Sequence, residues 1–152
     1  MLIYLGADHR GFRLKESVKK YLKDQAYEVV DVGNTELVQT DDYPDPAAIA
    51  ARKVSMDPNS SRAILICGSG VGMDMVANKF PHVRSVLALN PDQVASSRND
   101  DNTNVLSLAA DYTDEEHAKQ FVSVWLDTPF AGEERHKRRL LKVDDIENRR
   151  SL

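Results

Sequence analysis

Short apolar runs alternate along the chain with longer segments whose apolar residues recur at helical spacing. The apolar runs predict five strands, at residues 2–5, 27–32, 63–66, 85–89 and 105–109. The segments between them predict helices near residues 12–23, 47–54, 72–79, 91–97 and 114–126, with a last, charged helix near 133–149. This alternation is typical of a parallel sheet with helices on both faces. We therefore predict an α/β protein with a Rossmann-like, five-stranded parallel sheet in a three-layer α/β/α arrangement, forming a single domain over residues 1–152.

Composition and charge exclude several classes of partner and of metal site for this protein. The chain has 152 residues and a net charge of −4, which argues against general binding to nucleic acids. No apolar run approaches the ~20 residues that a membrane span needs, and the first residues lack the basic segment of a secretion signal. We expect a cytoplasmic protein with neither a nucleic acid nor a membrane as its partner. The one cysteine, Cys67, excludes an internal disulfide and a metal site built from paired thiolates.

The segment around Cys67 carries the strongest chemical signal. The cysteine follows an apolar strand and precedes a loop with three glycines, Gly68, Gly70 and Gly72, where a helix begins. Glycines allow backbone N–H groups to converge on one point, where they can bind a phosphate or an enediolate oxygen. Cys67 could act there as a base or as a nucleophile. The alternative is a buried structural cysteine beside a tight turn.

The glycine spacing of this loop differs from that of a dinucleotide-binding fingerprint. It reads G-x-G-x-G and follows the third strand, whereas the fingerprint reads G-x-G-x-x-G and follows the first. The next strand leads to Asn90 rather than to an acidic residue. A nicotinamide cofactor is therefore not expected.

Three further segments hold side chains that could bind a phosphorylated ligand. Asp8 and His9 follow the first strand, where ligands bind in open α/β sheets; an N-cap and a surface histidine are the alternative. Residues 97–104 are also expected at a carboxyl end of the sheet. In the last helix, Arg135 and Arg139 lie on neighbouring turns and could grip one phosphate. A solvated helix face is the simpler interpretation of those two residues alone.

Taken together, these segments resemble the family of ribose-5-phosphate isomerase B and galactose-6-phosphate isomerase. The resemblance runs from the first strand to the last helix. It rests on Gly-Ala-Asp-His-Arg-Gly-Phe-Arg-Leu-Lys at residues 6–15, Asp-Tyr-Pro-Asp at 42–45, the cysteine loop with its continuation to residue 79, Thr-Asn-Val-Leu at 103–106, Thr-Pro-Phe at 128–130, and Arg135-His136 with Arg139. Each motif alone is weak evidence for the family, but the order and spacing of all of them together are highly specific to it.

The resemblance implies chemical roles for the cysteine loop and for the first strand end. Cys67 would be the base that moves a proton between C1 and C2 of an open-chain sugar. Ser69 would help to move protons between O1 and O2. The three glycines of the loop would bind the enediolate through their amides, and Asp8 would bind sugar oxygens.

For the substrate phosphate, the resemblance implies His9, Arg135 and Arg139. It also implies a homodimer, or a tetramer built from such dimers, in which the C-terminal helix is used in dimerisation. Both subunits would contribute residues to each active site. No metal and no organic cofactor is implied.

The sequence departs from the family pattern around the fifth strand. The family reads Arg-x-His-Asn-Asp before this strand and Gly-x-Arg after it, whereas this chain has Asp100 for the histidine, Asp101 for the asparagine and Asp111 for the arginine. No histidine lies between His82 and His117, so a shifted alignment does not restore the missing one. The resemblance implies that this histidine opens the sugar ring, and an aspartate is ordinarily a poor proton donor at neutral pH. We predict that Asp100 takes this catalytic role and that Asp101 binds substrate.

The sequence leaves three functions open. The first is the interconversion of ribose 5-phosphate and ribulose 5-phosphate, a step of the pentose phosphate pathway. The second is isomerisation of a hexose phosphate or of a tetrose 4-phosphate, which cannot close a five-membered ring through its phosphorylated oxygen and needs no ring opening. The third is a non-catalytic sugar-phosphate-binding paralogue. The retained Cys67 and its glycine loop favour an enzyme.

Overall fold

The computed structural model describes residues 1–150, which form five strands and six helices. The strands are β1 (Leu2–Ala7), β2 (Glu28–Asp31), β3 (Ser61–Cys67), β4 (Ser85–Leu87) and β5 (Val105–Ala109). The helices are α1 (Phe12–Asp24), α2 (Pro44–Met56), α3 (Val71–Ala77), α4 (Pro91–Asp101), α5 (Glu115–Asp127) and α6 (Glu134–Arg150). Each predicted element is present. Residues 151–152 of the predicted domain lie outside the described residues.

The five strands form one parallel sheet in the order β2-β1-β3-β5-β4. The chain passes from β1 to β2 on one side and returns to β3 on the other, so the order reverses between β1 and β3. Ligands in open α/β sheets bind at such a switch point, outside the carboxyl ends of the strands. The sheet confirms the predicted fold class and indicates where a ligand binds.

Helices cover both faces of the sheet, and each face has its own apolar core. On one face, α1 and α5 pack through fully buried side chains such as Val18, Leu22 and Trp125. On the other face, α2 packs through alanines together with α3. Small side chains allow α2 to approach the sheet closely, and Cys67 belongs to this second core.

One local prediction is wrong. Residues 97–104 do not lie at the carboxyl edge, because α4 continues to Asp101 and returns the chain to the start of β5. The backbone N–H of Asn104 donates to the carbonyl of Arg84 at 3.0 Å, just before β4 begins, so this segment lies at the amino edge. Asp114 is the N-cap of α5, since its side chain accepts from a backbone N–H of the first turn.

Lys15 is a fully buried charge on α1. Its Nζ lies 2.5 Å from the Asp31 carboxylate and 2.8 Å from the carbonyl oxygen of Asn34. Burial alone would raise the pKa of Asp31, but hydrogen bonds from Lys15, Lys19 and the Gly33 amide outweigh it and lower that pKa below its ordinary value. The ion pair therefore stabilises the fold fully above the ordinary carboxyl pKa, and this contribution is lost as the pH falls through the lowered one.

We expect Lys15→Met to lower the free energy of unfolding by roughly 3 kcal/mol at neutral pH, because it removes one partner of a buried ion pair. The expected loss is at the lower end for such pairs, since Lys19 remains 2.8 Å from Asp31. Urea denaturation measures the change. The matched control is Lys20→Met, whose side chain is 79% exposed and pairs with Asp24; it should change stability by at most ~0.5 kcal/mol. Equal losses in the two variants would contradict the prediction.

Candidate active site

The ends of β1 and β3 lie side by side at the switch point. Ala7 pairs with Ile66 in the sheet register, and the backbone N–H of Asp8 donates to the Ile66 carbonyl at 3.3 Å. Gly11 permits this close approach, because a Cβ there would lie 2.2 Å from the Ile66 carbonyl oxygen. The structure thus brings Asp8, His9 and the cysteine loop to one place.

Cys67 is the last residue of β3 and is only 4% exposed. Its carbonyl accepts a hydrogen bond of 2.9 Å from the backbone N–H of Ala110, so its backbone is fixed on the β5 side. Neighbouring strands flank it, and its side chain belongs to the core beneath α2 and α3. A ligand can therefore approach the sulfur only from the carboxyl edge, where the glycine loop begins.

The loop after Cys67 has a conformation that depends on glycine. Gly70 has a φ of +74°, and a Cβ there would lie 2.4 Å from the Leu87 side chain, so no other residue fits this turn without strain. Ser69, just before it, is exposed and lines a cavity of about 210 Å³ between the loop and the ends of β4 and β5. The turn therefore presents the Ser69 side chain at the carboxyl edge, on the β4 and β5 side of the loop.

Asp8 and His9 are held in place by different partners. Asp8 is 6% exposed, and its Oδ1 accepts from the Gly11 backbone N–H at 2.9 Å. The N-cap of α1 is Gly11, so the interpretation of Asp8 as an N-cap does not hold. His9 is bound by Asp41, whose Oδ1 lies 2.8 Å from both the backbone nitrogen and Nδ1 of His9.

Asp41 fixes which nitrogen of His9 can bind a ligand. Burial would raise the pKa of Asp41, but hydrogen bonds from the His9 side chain, the His9 backbone and Asn34 outweigh it and lower that pKa. An ionised carboxylate only accepts hydrogen bonds, so Nδ1 carries a proton and Nε2 remains for a ligand. Sequence reasoning does not identify Asp41; the acidic pair Asp41-Asp42 before Tyr43 is the signal that could have done so.

Two side chains cover the glycine loop from opposite ends. A Cβ on Gly72 would lie 2.7 Å from the Tyr43 ring, and a Cβ on Gly68 would lie 2.5 Å from the Arg10 guanidinium. Arg10 also forms an ion pair with Asp111, which follows β5. Both glycines thus leave room for a side chain over the loop, which gives them a role that the sequence pattern alone does not reveal.

The remaining predicted site residues lie away from the crevice. They are Asp100, Asp101, Arg135 and Arg139. Asp100, in the last turn of α4, lies 3.7 Å from Nε2 of the buried His136 on α6. Arg135 pairs with Glu133 at 2.9 Å, and Asp101 lines a cavity of about 600 Å³ between α4, β4 and α6.

The full length of a strand separates Asp100 from Cys67. β5 begins close after Asp100 and ends beside Cys67, with Cys67 in register with Ala109. Five residues of parallel strand span about 15 Å. A single chain therefore does not bring Asp100 and its neighbours to the cysteine.

Among residues 1–150, one group of three side chains has metal-ligating atoms close enough together to hold an ion. His82, Asp144 and Glu147 each offer an atom within 4.8 Å of the others. Burial lowers the pKa of Arg84, but both carboxylates oppose this shift, so they lie close enough to balance its positive charge. Glu147 also accepts from the backbone N–H of His82 at 2.9 Å. The cluster neutralises an arginine far from Cys67, and the absence of a metal stays a prediction.

The fold and the crevice define a doubly wound α/β enzyme in which a cysteine, an aspartate and a histidine meet at the carboxyl edge of a parallel sheet. A model of the Ribose/Galactose Isomerase family matches residues 3–143. The chain belongs to this family, whose members are aldose–ketose isomerases. The resemblance seen in the sequence motifs is thereby confirmed.

Individual relatives match over nearly the whole chain. The chain is 40% identical over 141 residues to the probable ribose-5-phosphate isomerase B of Mycoplasma pneumoniae, covering 93% of this chain and 91% of that protein. It is 37% identical over 149 residues to ribose-5-phosphate isomerase B of Escherichia coli, covering 98% of each. The crystal structure of ribose-5-phosphate isomerase B from Mycoplasma genitalium with bound ribulose-5-phosphate has a TM-score of 0.93 and 36% identity, covering 97% of this chain and 96% of that one.

Proposed function

We propose that the protein interconverts ribose 5-phosphate and ribulose 5-phosphate. The observation that carries the proposal is the meeting of Cys67, Asp8 and His9 at the switch point of the sheet. The related Mycoplasma genitalium enzyme, which shares this fold, was crystallised with ribulose-5-phosphate bound. We place this reaction in the cytoplasm. In the described part of the chain, no helix is both long and apolar enough to cross a bilayer.

In the proposed mechanism, Cys67 is the base. Its sulfur takes the proton from C2 of the open-chain aldose, and the C2 electron pair forms the double bond of an enediolate while the carbonyl oxygen O1 gains negative charge. Ser69 moves a proton between O2 and O1, and the proton on sulfur is delivered to C1 to give the ketose. The amides of Gly68, Gly70 and Gly72 stabilise the negative oxygen. The reaction transfers protons only and consumes no second substrate.

The other side chains of the crevice hold the substrate. Asp8 accepts hydrogen bonds from sugar hydroxyls, and His9 binds the phosphate on its Nε2 side. Tyr43 packs on the loop beside Gly72 and limits how much water reaches the enediolate. These three side chains come from the loops after β1 and β2, on the open side of Cys67.

The groups at the amino edge complete the site across a dimer. Asp100 acts in ring opening with His136 beside it, Asp101 binds substrate, and Arg135 and Arg139 bind the phosphate. Since one chain does not bring these groups to Cys67, a second copy supplies them. α6 also carries exposed apolar side chains, among them Leu141 at 63% and Ile146 at 54% exposure, which supports its use in a homodimer.

A tetrose 4-phosphate is the second candidate substrate. The observation that favours it is the aspartate at position 100, because a substrate that cannot form a furanose needs no ring-opening histidine. A panel of tetrose, pentose and hexose phosphates, assayed with the purified protein, tests both candidates. We expect the highest kcat/KM with ribulose 5-phosphate. A higher value with a tetrose or hexose phosphate would replace the pentose assignment, and no turnover with any sugar would indicate a binding protein.

A further inference from the structure

The Arg10 side chain lies directly over the loop that follows Cys67. A Cβ on Gly68 would come within 2.5 Å of both Cζ and Nε of Arg10, so the guanidinium rests on bare backbone. Its Nη2 donates to the Asp111 carboxylate, while the Asp111 backbone N–H donates to the Gly68 carbonyl at 3.0 Å. Arg10 therefore bridges the chain segments after β1 and β5, above the end of β3.

This ion pair leaves most of the guanidinium available. An arginine has five N–H donors, and within residues 1–150 the hydrogen-bond acceptor of Arg10 is the Asp111 carboxylate. The two side chains are 57% and 34% exposed, and such an exposed pair contributes little to stability by itself. Its position, across the edge where the crevice opens, is what distinguishes it from other surface pairs.

The mouth of the crevice is where a substrate phosphate has to lie. Burying a dianion away from water is costly, whereas C1 and C2 of the sugar must reach the buried sulfur of Cys67. We therefore expect the phosphate at the exposed end, where the Arg10 guanidinium lies over Gly68. A guanidinium matches phosphate oxygens with two parallel N–H donors.

We propose that Arg10 binds the substrate phosphate and supplies the guanidinium that position 111 lacks. The resemblance to the isomerase family leads one to expect an arginine after β5, but this chain has Asp111 there. The Asp111 carboxylate instead holds an arginine from the β1 loop over Gly68. This inference rests on the proposed function, in that a phosphorylated sugar is the ligand.

Arg10→Ala in the full-length protein tests the contact. Titration calorimetry with inorganic phosphate, and KM with ribulose 5-phosphate, are the two measurements. We expect phosphate affinity to fall and KM to rise by about 10- to 100-fold, with kcat changed much less. The matched control is Arg52→Ala, which removes one exposed positive charge from α2 and should leave both values unchanged.

Two double variants separate a direct contact from a change of charge. Arg10→Ala leaves the Asp111 carboxylate unpaired, and that carboxylate would itself repel phosphate. Arg10→Ala with Asp111→Ala removes both charges, and we expect phosphate binding to remain weak; a return to wild-type affinity would attribute the loss to Asp111 and overturn the proposal. Arg10→Ala with Asp111→Arg places a guanidinium after β5, and we expect it to regain about tenfold in affinity over the double alanine variant.

The phosphate titration does not depend on turnover, so the two proposals can fail separately. If the wild type isomerises no sugar phosphate but loses phosphate binding in Arg10→Ala, the proposed function fails and the role of Arg10 stands. If the wild type is active and Arg10→Ala keeps its KM and phosphate affinity, the role of Arg10 is overturned alone. A wild type that does not bind phosphate also overturns it.

Discussion

Cys67→Ala should reduce the turnover of ribulose 5-phosphate by about 10²- to 10⁴-fold, the range for loss of a general base. The sulfur is the proposed proton carrier between C1 and C2, and alanine cannot take its place. The side chain is small and 4% exposed, so the variant should fold with a modest loss of stability. Turnover by coupled assay, and exchange of the C1 proton of ribulose 5-phosphate with D₂O, should both be lost together.

A matched control separates the base from a structural cysteine. Ser61 lies at the other end of β3 and is 3% exposed, and its Oγ donates to the Asp57 carbonyl at 2.6 Å. Ser61→Ala should lose stability in urea denaturation and keep its turnover. If Cys67→Ala retains turnover and exchange, or loses activity only in proportion to its unfolding, Cys67 is not the base.

The fold was predictable from the sequence because the pattern of apolar residues in each strand matches the burial of that strand. Strands that are covered on both faces have no polar alternation, as in β3 and β5, where nearly all residues are buried. The ends of elements were harder to predict. α4 continues to Asp101 although its sequence has little apolar periodicity, because its end is fixed by local hydrogen bonds, such as that from Arg98 to the Asn102 side chain at 2.8 Å.

The crevice was only partly predictable. Asp8, His9 and the cysteine loop follow their strands directly, so strand order alone brings them together. Asp41, Tyr43 and Arg10 reach the same place through side chains and loops, and only the acidic pair before Tyr43 gives a sequence signal for one of them. Residues 97–104 were expected at the carboxyl edge because their chemistry suits a site, yet chemistry does not indicate at which end of a strand a segment lies.

The position of residues 97–104 has a consequence for assembly. Asp100 and Arg135 lie at the amino edge, a strand length from Cys67, so a complete site requires two chains in the proposed function. In a symmetric dimer each site then takes Cys67 from one subunit and the arginines from the other. Two variants that each destroy one half of the site can therefore restore one another.

We expect Cys67→Ala and the double variant Arg135→Ala/Arg139→Ala to be inactive separately and active when co-expressed. About half of randomly assembled dimers are mixed, and each mixed dimer has one site with both halves intact, so about a quarter of wild-type activity should return. Co-expression with different affinity tags, followed by purification of the mixed dimer, should raise this to about half.

The matched control pairs Cys67→Ala with Asp8→Ala. Cys67 and Asp8 lie at the same edge of one chain, so in the mixed dimer each site loses one of them and no activity should return. If both combinations stay inactive although mixed dimers form, Cys67 and the arginines act within a single chain, and the shared site is wrong. If both combinations regain activity, Cys67 and Asp8 of one chain do not act in the same site, and the proposed division of the site between the subunits is wrong. If only the combination of Cys67→Ala with Arg135→Ala/Arg139→Ala regains activity, Arg135 and Arg139 act in the active site that holds Cys67 of the other subunit. The distance between the amino-edge residues and the thiol within one chain is then explained by the shared site.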